Sequence, residues 1–214
     1  MLQSVLNVLQ SVVFGMISIF GINLGTEQPR YEVLARIGDS IEIRRYPPRL
    51  AAETTVPGNS GNPRGEAFRI VAGYIFGANA GKQKIAMTSP VEITSPGQKI
   101  AMTAPVEVGK AADGLVMRFF MPGEFTRAQL PEPSDPRVRL VELPAATVAA
   151  LRFSGSIGDA AVAARTAELI NALAATEWRA AGEATALFYN PPWTLPFLRR
   201  NEVVVPLTAP SAPR

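Results

Sequence analysis

The middle of the chain states one ten-residue phrase twice. Lys84-Ile85-Ala86-Met87-Thr88-Ser89-Pro90-Val91-Glu92-Ile93 returns fifteen positions on as Lys99-Ile100-Ala101-Met102-Thr103-Ala104-Pro105-Val106-Glu107-Val108. Eight of the ten positions are identical, and the two exchanges, Ser89 for Ala104 and Ile93 for Val108, keep size and character. Pro96-Gly97 lies between the copies. Proline fixes φ and glycine tolerates φ > 0, so this pair suits the two central positions of a type II turn. The phrase predicts a β-hairpin with near-copied arms. It is an architectural signature without catalytic chemistry, and it commits this part of the chain to antiparallel sheet.

Two absences narrow the chemistry. The chain has no cysteine, which excludes disulfides, thiolate metal sites and cysteine nucleophiles. It has no histidine, which excludes Ser-His-Asp triads, histidine zinc sites and the usual general base near neutral pH. The 21 basic and 18 acidic residues leave a net charge of +3, and no Lys/Arg run forms a nucleic-acid stripe. Nucleic acid is therefore not an expected partner. The 214 residues supply ample core, and 19 prolines point to many turns and interrupted strand edges.

Residues 1–26 carry no charged side chain. Val5 to Leu24 is predominantly apolar and long enough for a bilayer-spanning helix. A cleaved signal is a second reading, although no basic residue precedes the run and no A-x-A site follows it. A third is an interfacial helix, because Gln3, Asn7, Gln10, Ser11 and Ser18 recur at helical spacing. Arg30 and Arg36 follow the segment, which places the globular part in the cytoplasm by the positive-inside tendency; a cleaved signal would export it. The expected organisation is an apolar anchor or signal-like helix at 1–26, a globular domain at 27–207 and a flexible Pro/Ala tail at 208–214.

The globular part reads as two halves, about 27–121 and 137–207. Residues 41–58 align without gaps on residues 138–155: Ile41 meets Val138, Ile43 meets Leu140, Pro47 meets Pro144 and Gly58 meets Gly155. Each is strand, proline break, strand, glycine. A helix follows each copy. The first runs from about Pro63 to Phe76, with Asn62 as N-cap and Pro63 at the first helical position. The second starts at Asp159 as N-cap and runs to about Ala181, with Gly182 in the C-terminal left-handed position. Val162, Thr166, Leu169, Ile170 and Leu173 form its buried stripe. Further strands are expected at Tyr31 to Arg36, Leu115 to Met121, Ala186 to Tyr189 and Glu202 to Leu207. The fold class is α+β: two long helices on a distorted antiparallel β-barrel built from a duplicated strand-helix-strand unit with a pseudo-twofold axis. Residues 122–136 form the joining loop.

The first helix has more apolar surface than a sheet can cover. Ile70, Tyr74, Ala67, Val71, Ile75, Phe68 and Ala72 span an arc of about 200° at 3.6 residues per turn, against about 100° for a helix laid on a core. The excess must meet a loop such as 122–136, a partner surface or a flat hydrophobic ligand. Arg64 and Arg69 near the helix start would suit ligand carboxylates, or stand as solvated charges.

Several of these stretches resemble the SOUL heme-binding protein family. They are the repeated K-I-A-M-T-[SA]-P-V arms, Y-E-V at 31–33, I-E-I-R-R-Y at 41–46, E-A-F-R-I-V-A-G-Y-I-F-G-A-N at 66–79 and Y-N-P-P-W-T-L-P-F-L-R-R-N-E-V at 189–203. The resemblance runs from about residue 30 to 207. It implies a barrel-like fold from a duplicated unit, and non-covalent b-type heme or another tetrapyrrole in a hydrophobic groove beside the first helix. Carried onto this chain, the groove positions are Phe68, Val71, Ala72 and Ile75, with Arg64 and Arg69 near the propionates. A histidine axial ligand, proposed for some members, is impossible here. Met87 and Met102 are the tempting iron ligands, but at alternating strand positions they read as core. Tyr74 and Tyr189 read as packing side chains with bonded hydroxyls. Asn190-Pro191-Pro192-Trp193 reads as a rigid turn, held by Arg200, Asn201 and Glu202.

Three functions follow. One is a membrane-tethered tetrapyrrole carrier or sensor, attached through residues 5–24. The alternative is an effector-binding or protein-interaction domain of the same fold with no physiological heme. An enzyme would draw on Glu53, Glu92, Glu107 or Tyr189, but no spacing singles them out, and Glu92 and Glu107 read as surface strand charges. The chain is therefore read as a non-enzyme. Exposed strand edges would permit a dimer, and the sequence assigns no oligomeric state.

Overall fold

The computed structural model describes residues 27–94, 114–191 and 193–208. Among the described residues ten strands form one antiparallel sheet: β1 (Glu32–Ile37), β2 (Ile41–Tyr46), β3 (Arg49–Pro57), β4 (Val91–Thr94), β5 (Gly114–Phe120), β6 (Arg139–Leu143), β7 (Ala146–Phe153), β8 (Arg179–Ala180), β9 (Thr185–Phe188) and β10 (Asn201–Thr208). Their order is β1-β2-β7-β10-β9-β4-β5-β3-β6, with β8 on β10. The sheet curls into a half-barrel whose outermost strands among the described residues are β1 and β6. Two helices, α1 (Pro63–Ile75) and α2 (Asp159–Ala174), cover one of its faces.

The proline breaks decide which strands pair. Pro47 and Pro48 offer no N–H, so the ladder of β2 cannot continue through them. Before them β2 pairs with β7, Ile43 opposite Ala149. After them β3 is caught between β5 and β6, with Ala52 opposite both Phe119 and Leu140. Pro144 makes the same break between β6 and β7. The strand series β2, β7, β10, β9 is mirrored by β6, β3, β5, β4, and β9 meets β4 at the centre.

Only α1 is capped and ended as its local residues direct; α2 departs from the expectation at both ends. Asn62 caps α1 by accepting from the Gly65 N–H at 3.0 Å, with Pro63 in the first turn. In α2 the N-cap is Gly158, and Asp159 already lies in the first turn, where its charge suits the helix dipole. The helix stops at Ala174 rather than near Ala181. Thr176 returns its hydroxyl to the Leu173 carbonyl at 2.8 Å, and the chain then joins β10 through β8. Gly182 accordingly does not cap α2; it packs on Pro206.

Successive side chains alternate between the faces, as strand geometry requires. The helix-covered face holds Ile43, Ala52, Leu115, Met117, Phe119, Leu151, Val203 and Val205, closed by Val71, Ile75, Leu169 and Leu173. Val162 and Thr166 are buried with them, while Ile170 is half-buried. Each large side chain fully removed from water here contributes about 1.5–3 kcal/mol. The first copy of the repeated phrase becomes a strand only at Val91–Thr94, and Glu92 is buried rather than a surface charge. Met87 is 37% exposed in an irregular segment, so it is not the core residue that strict alternation predicts. Backbone pairing explains the difference: the Ile85 N–H is spent on the Ile75 carbonyl at 2.8 Å, and residues 84–90 never enter the ladder. The second copy, the Pro-Gly turn between the copies, and with them Met102 and Glu107, lie outside the described residues, as do residues 1–26 and 209–214. Among the described residues no helix is long and apolar enough to cross a membrane.

Candidate functional site

The excess apolar arc of α1 is resolved in two ways. On one side the loop after β5 closes over the helix. Leu130 is buried in the core, the Tyr74 hydroxyl donates to the Pro131 carbonyl at 2.9 Å, and Asn79 bridges Pro133. Asn79 is itself buried; its amide donates to the carbonyls of Tyr74 (2.8 Å) and Gln83 (2.7 Å) and accepts from the Gln83 N–H. This pins the exit of α1 against the loop. Burial pushes the Tyr74 hydroxyl up to about 12.

On the other side the apolar surface stays open. Phe68 is 41% exposed, its ring tilted against that of Phe119 with the ring centres 5.5 Å apart, and Phe76 is 61% exposed. At helical spacing Phe68, Ala72 and Phe76 form one stripe, two aromatic rings with a small side chain between them. Arg69 flanks that stripe, donating from Nε to the Gly65 carbonyl at 3.2 Å, and has no ion pair with a described residue. Arg64 is tied across to α2: it pairs with Asp159 and donates to the Ile157 carbonyl at 2.8 Å. Its guanidinium lies 5.9 Å from the Phe188 ring centre. Val71 and Ile75 are wholly buried behind the stripe, and Ala72 nearly so. The six positions named from sequence thus divide into an outer set, Arg64, Phe68 and Arg69, and an inner set, Val71, Ala72 and Ile75.

A second apolar surface lies between β9 and β10, where Trp193, Leu195, Phe197 and Leu198 are exposed. This segment is anchored by the Gly155 N–H, which donates to the Pro196 carbonyl at 2.8 Å. Arg64 and Pro196 therefore hold the same connection between β7 and α2.

The opposite face of the sheet carries a polar cluster. Glu202, fully buried, accepts from Arg44 at 2.7 and 3.1 Å, from Arg200 at 2.8 Å and from the Tyr189 hydroxyl at 2.8 Å. Burial opposes its charge, but the guanidinium groups of Arg44 and Arg200 hold its carboxyl below the ordinary carboxylate range. Tyr189 is pushed up, first by burial and then by the Glu202 charge. Arg118 joins Glu53 at 2.6 Å and Glu92 at 2.5 Å, and Arg139 takes the other oxygen of Glu53 at 2.6 Å. The ending Asn190 to Glu202 is locked as its residues suggest: the Arg200 N–H donates to Asn190 at 2.7 Å, and the Arg200 guanidinium stacks 3.9 Å from the Tyr189 ring. Sequence reading missed Arg44. Its signal was available: Glu42, Arg44 and Tyr46 alternate in a strand with Ile41 and Ile43, which marks a second buried face.

Among the described residues no group of carboxylates forms a metal site. The SOUL heme-binding protein profile matches residues 26–206. The chain belongs to the SOUL heme-binding protein family. Within this family it is 30% identical to heme-binding protein 1 of Sus scrofa over 138 residues, 64% of this chain and 68% of that protein. Two solved structures share the fold. The C-terminal domain of EcmrR superposes with a TM-score of 0.56 at 10% identity, covering 83% of this chain and 98% of that one. A hydrolase encoded by lin2189 from Listeria innocua gives 0.56 at 11% identity, covering 79% and 92%. At such identities the likeness speaks for the SOUL-like fold alone.

Proposed function

We propose that this protein binds heme or a related tetrapyrrole against the outward stripe of α1, as a carrier or sensor tethered by residues 5–24. The observation that carries this reading is the Phe68–Ala72–Phe76 stripe, exposed at both ends and flat in the middle, on a member of a heme-binding family. A planar macrocycle would rest on Ala72 between the two rings, with Val71 and Ile75 as the buried floor. Arg69 is available to a propionate. Arg64 would reach one by exchanging Asp159, whose side chain is 87% exposed and gives up little on release. Bound heme would supply an iron centre; with no histidine or cysteine in the chain, this site offers it neither of the commonest protein ligands. Binding then rests on apolar contact and propionate charge. The carboxylates Glu53, Glu92 and Glu202 are each spent on arginines, which supports binding rather than catalysis. We also read the mirrored strand order as the trace of a duplicated unit.

The test is a hemin titration of the full chain. We expect a saturable Soret change that Ala72→Trp abolishes and that Arg64→Glu with Arg69→Glu weakens about tenfold, as loss of charge-assisted contacts implies. Absorbance rising linearly, as with hemin on an unrelated protein, would overturn the reading. The missing histidine and the exposed Trp193 and Phe197 favour the alternative, an effector-binding or protein-interaction domain without physiological heme; it predicts that linear result.

A further inference from the structure

The salt-bridge network of the polar face contains more cations than carboxylates. Arg36, Arg44, Arg118, Arg139 and Arg200 share Glu42, Glu53, Glu92 and Glu202 in salt bridges of 2.5–2.9 Å. Arg49 is a further guanidinium beside it and has no ion pair with any described residue. It is stacked between two rings, 4.2 Å from the centre of Tyr46 and 4.8 Å from that of Phe120. Its Nε is fully buried without an acceptor among the described residues. Ring faces satisfy the flat sides of a guanidinium but not its edge, where the N–H groups point. A buried donor left unmatched is costly.

Arg49 also lines a cavity of about 770 Å³. The volume is that of a small-molecule site. Pro47, Pro48, Leu50, Pro122 and Phe125 give it apolar walls, and Arg30 adds a second cation without an ion pair to a described residue. Glu27, Glu124 and Glu142 line it as well. Those carboxylates would repel a doubly charged phosphate more strongly than a single negative charge.

From the unmatched edge of Arg49 and the walls around it, we infer a second binding site, for a small organic monocarboxylate with an apolar or aromatic body. The carboxylate takes the edge of Arg49 as a charge-assisted pair, and the apolar body fills the space between the prolines and Phe125. The cavity shares no lining residue with α1, and the site does not depend on the heme reading.

Calorimetric titration of the full chain with 1-naphthylacetate and its neutral amide tests this. The acid should bind saturably and at least about tenfold tighter than the amide, the scale of one charge-assisted hydrogen-bond pair. Arg49→Met should remove that preference while leaving the amide unchanged. Glu142→Gln, at an exposed position opposite Leu50, should tighten the acid roughly twofold by removing a repelling charge, and it tests the site even where Arg49→Met fails to fold. Ala72→Trp should leave naphthylacetate binding intact, and Arg49→Met should leave hemin binding intact, so either site can fail alone. Equal affinity for acid and amide, or an acid affinity unmoved by Arg49→Met and Glu142→Gln, would overturn the inference.

Discussion

The two faces of this sheet solve the same burial problem with opposite chemistry. Beneath the helices, Val71, Ile75, Leu169 and Leu173 meet Phe119, Leu151 and Val203, and stability grows with the area removed from water. On the other face Glu202 is as deeply buried as any of these, yet it is charged and holds three donors. An apolar face tolerates a lost methylene by relaxing. A charged face cannot lose one partner without stranding the others. The second face is therefore the more brittle, and Arg49 shows where it is left incomplete.

The largest effect should come from breaking that face at its centre. Glu202→Ala leaves Arg44 buried without its main acceptor and should cost about 3–5 kcal/mol in urea unfolding. A loss below about 1 kcal/mol would show the network to be dispensable. Leu169→Ala attacks the other face and should cost about 2–4 kcal/mol through its cavity. The ranking of these two variants tests the comparison directly.

Acid should separate the faces further. The Glu202 carboxyl is held below its ordinary value in the folded protein, so the folded state binds this proton less readily than the unfolded chain. Its stabilisation is complete above the unfolded carboxylate range, near pH 4.3, and is lost as pH falls through the lower folded value. Unfolding free energy measured from pH 6 to pH 2 should fall less steeply for Glu202→Gln than for the parent chain. Equal slopes would mean that Glu202 carries none of the acid sensitivity.

A smaller effect, about 1 kcal/mol, is expected for Tyr74→Phe, which removes the hydroxyl bond to Pro131 that fastens the loop over α1. Faster amide exchange at residues 126–134 in that variant would localise the loss. The smallest belongs to Arg165→Ala. Its partner Glu168 lies one helical turn away and both are about half exposed, so the thermal midpoint should move by less than about 0.5 kcal/mol in equivalent stability.

The pattern of element types was readable because it is local. Apolar alternation at Ile41 and Ile43, the Asn62-Pro63 helix start and the stripe Val162, Thr166, Leu169, Leu173 each draw on a few neighbouring residues. The errors arose where a distant strand intervened. Residues 175–181 have helical composition, but Arg179–Ala180 is taken by β10. Glu92 reads as a surface charge until Arg118, on the strand beside it, closes over it. Of the α1 positions, periodicity found the apolar arc but not its division into a part sealed by Pro131 and a part left open at Phe68 and Phe76.

The α+β class, the proline-broken strand pairs, the two helices and the chemistry forbidden by the absence of cysteine and histidine can all be read along the chain. These follow from backbone geometry and from which functional groups the chain possesses. That Arg44 meets Glu202 across 158 positions, and that Arg49 forms no ion pair with a described carboxylate, emerges once the strands are assembled. Charge pairing depends on which strands become neighbours, and no local pattern along the chain encodes that.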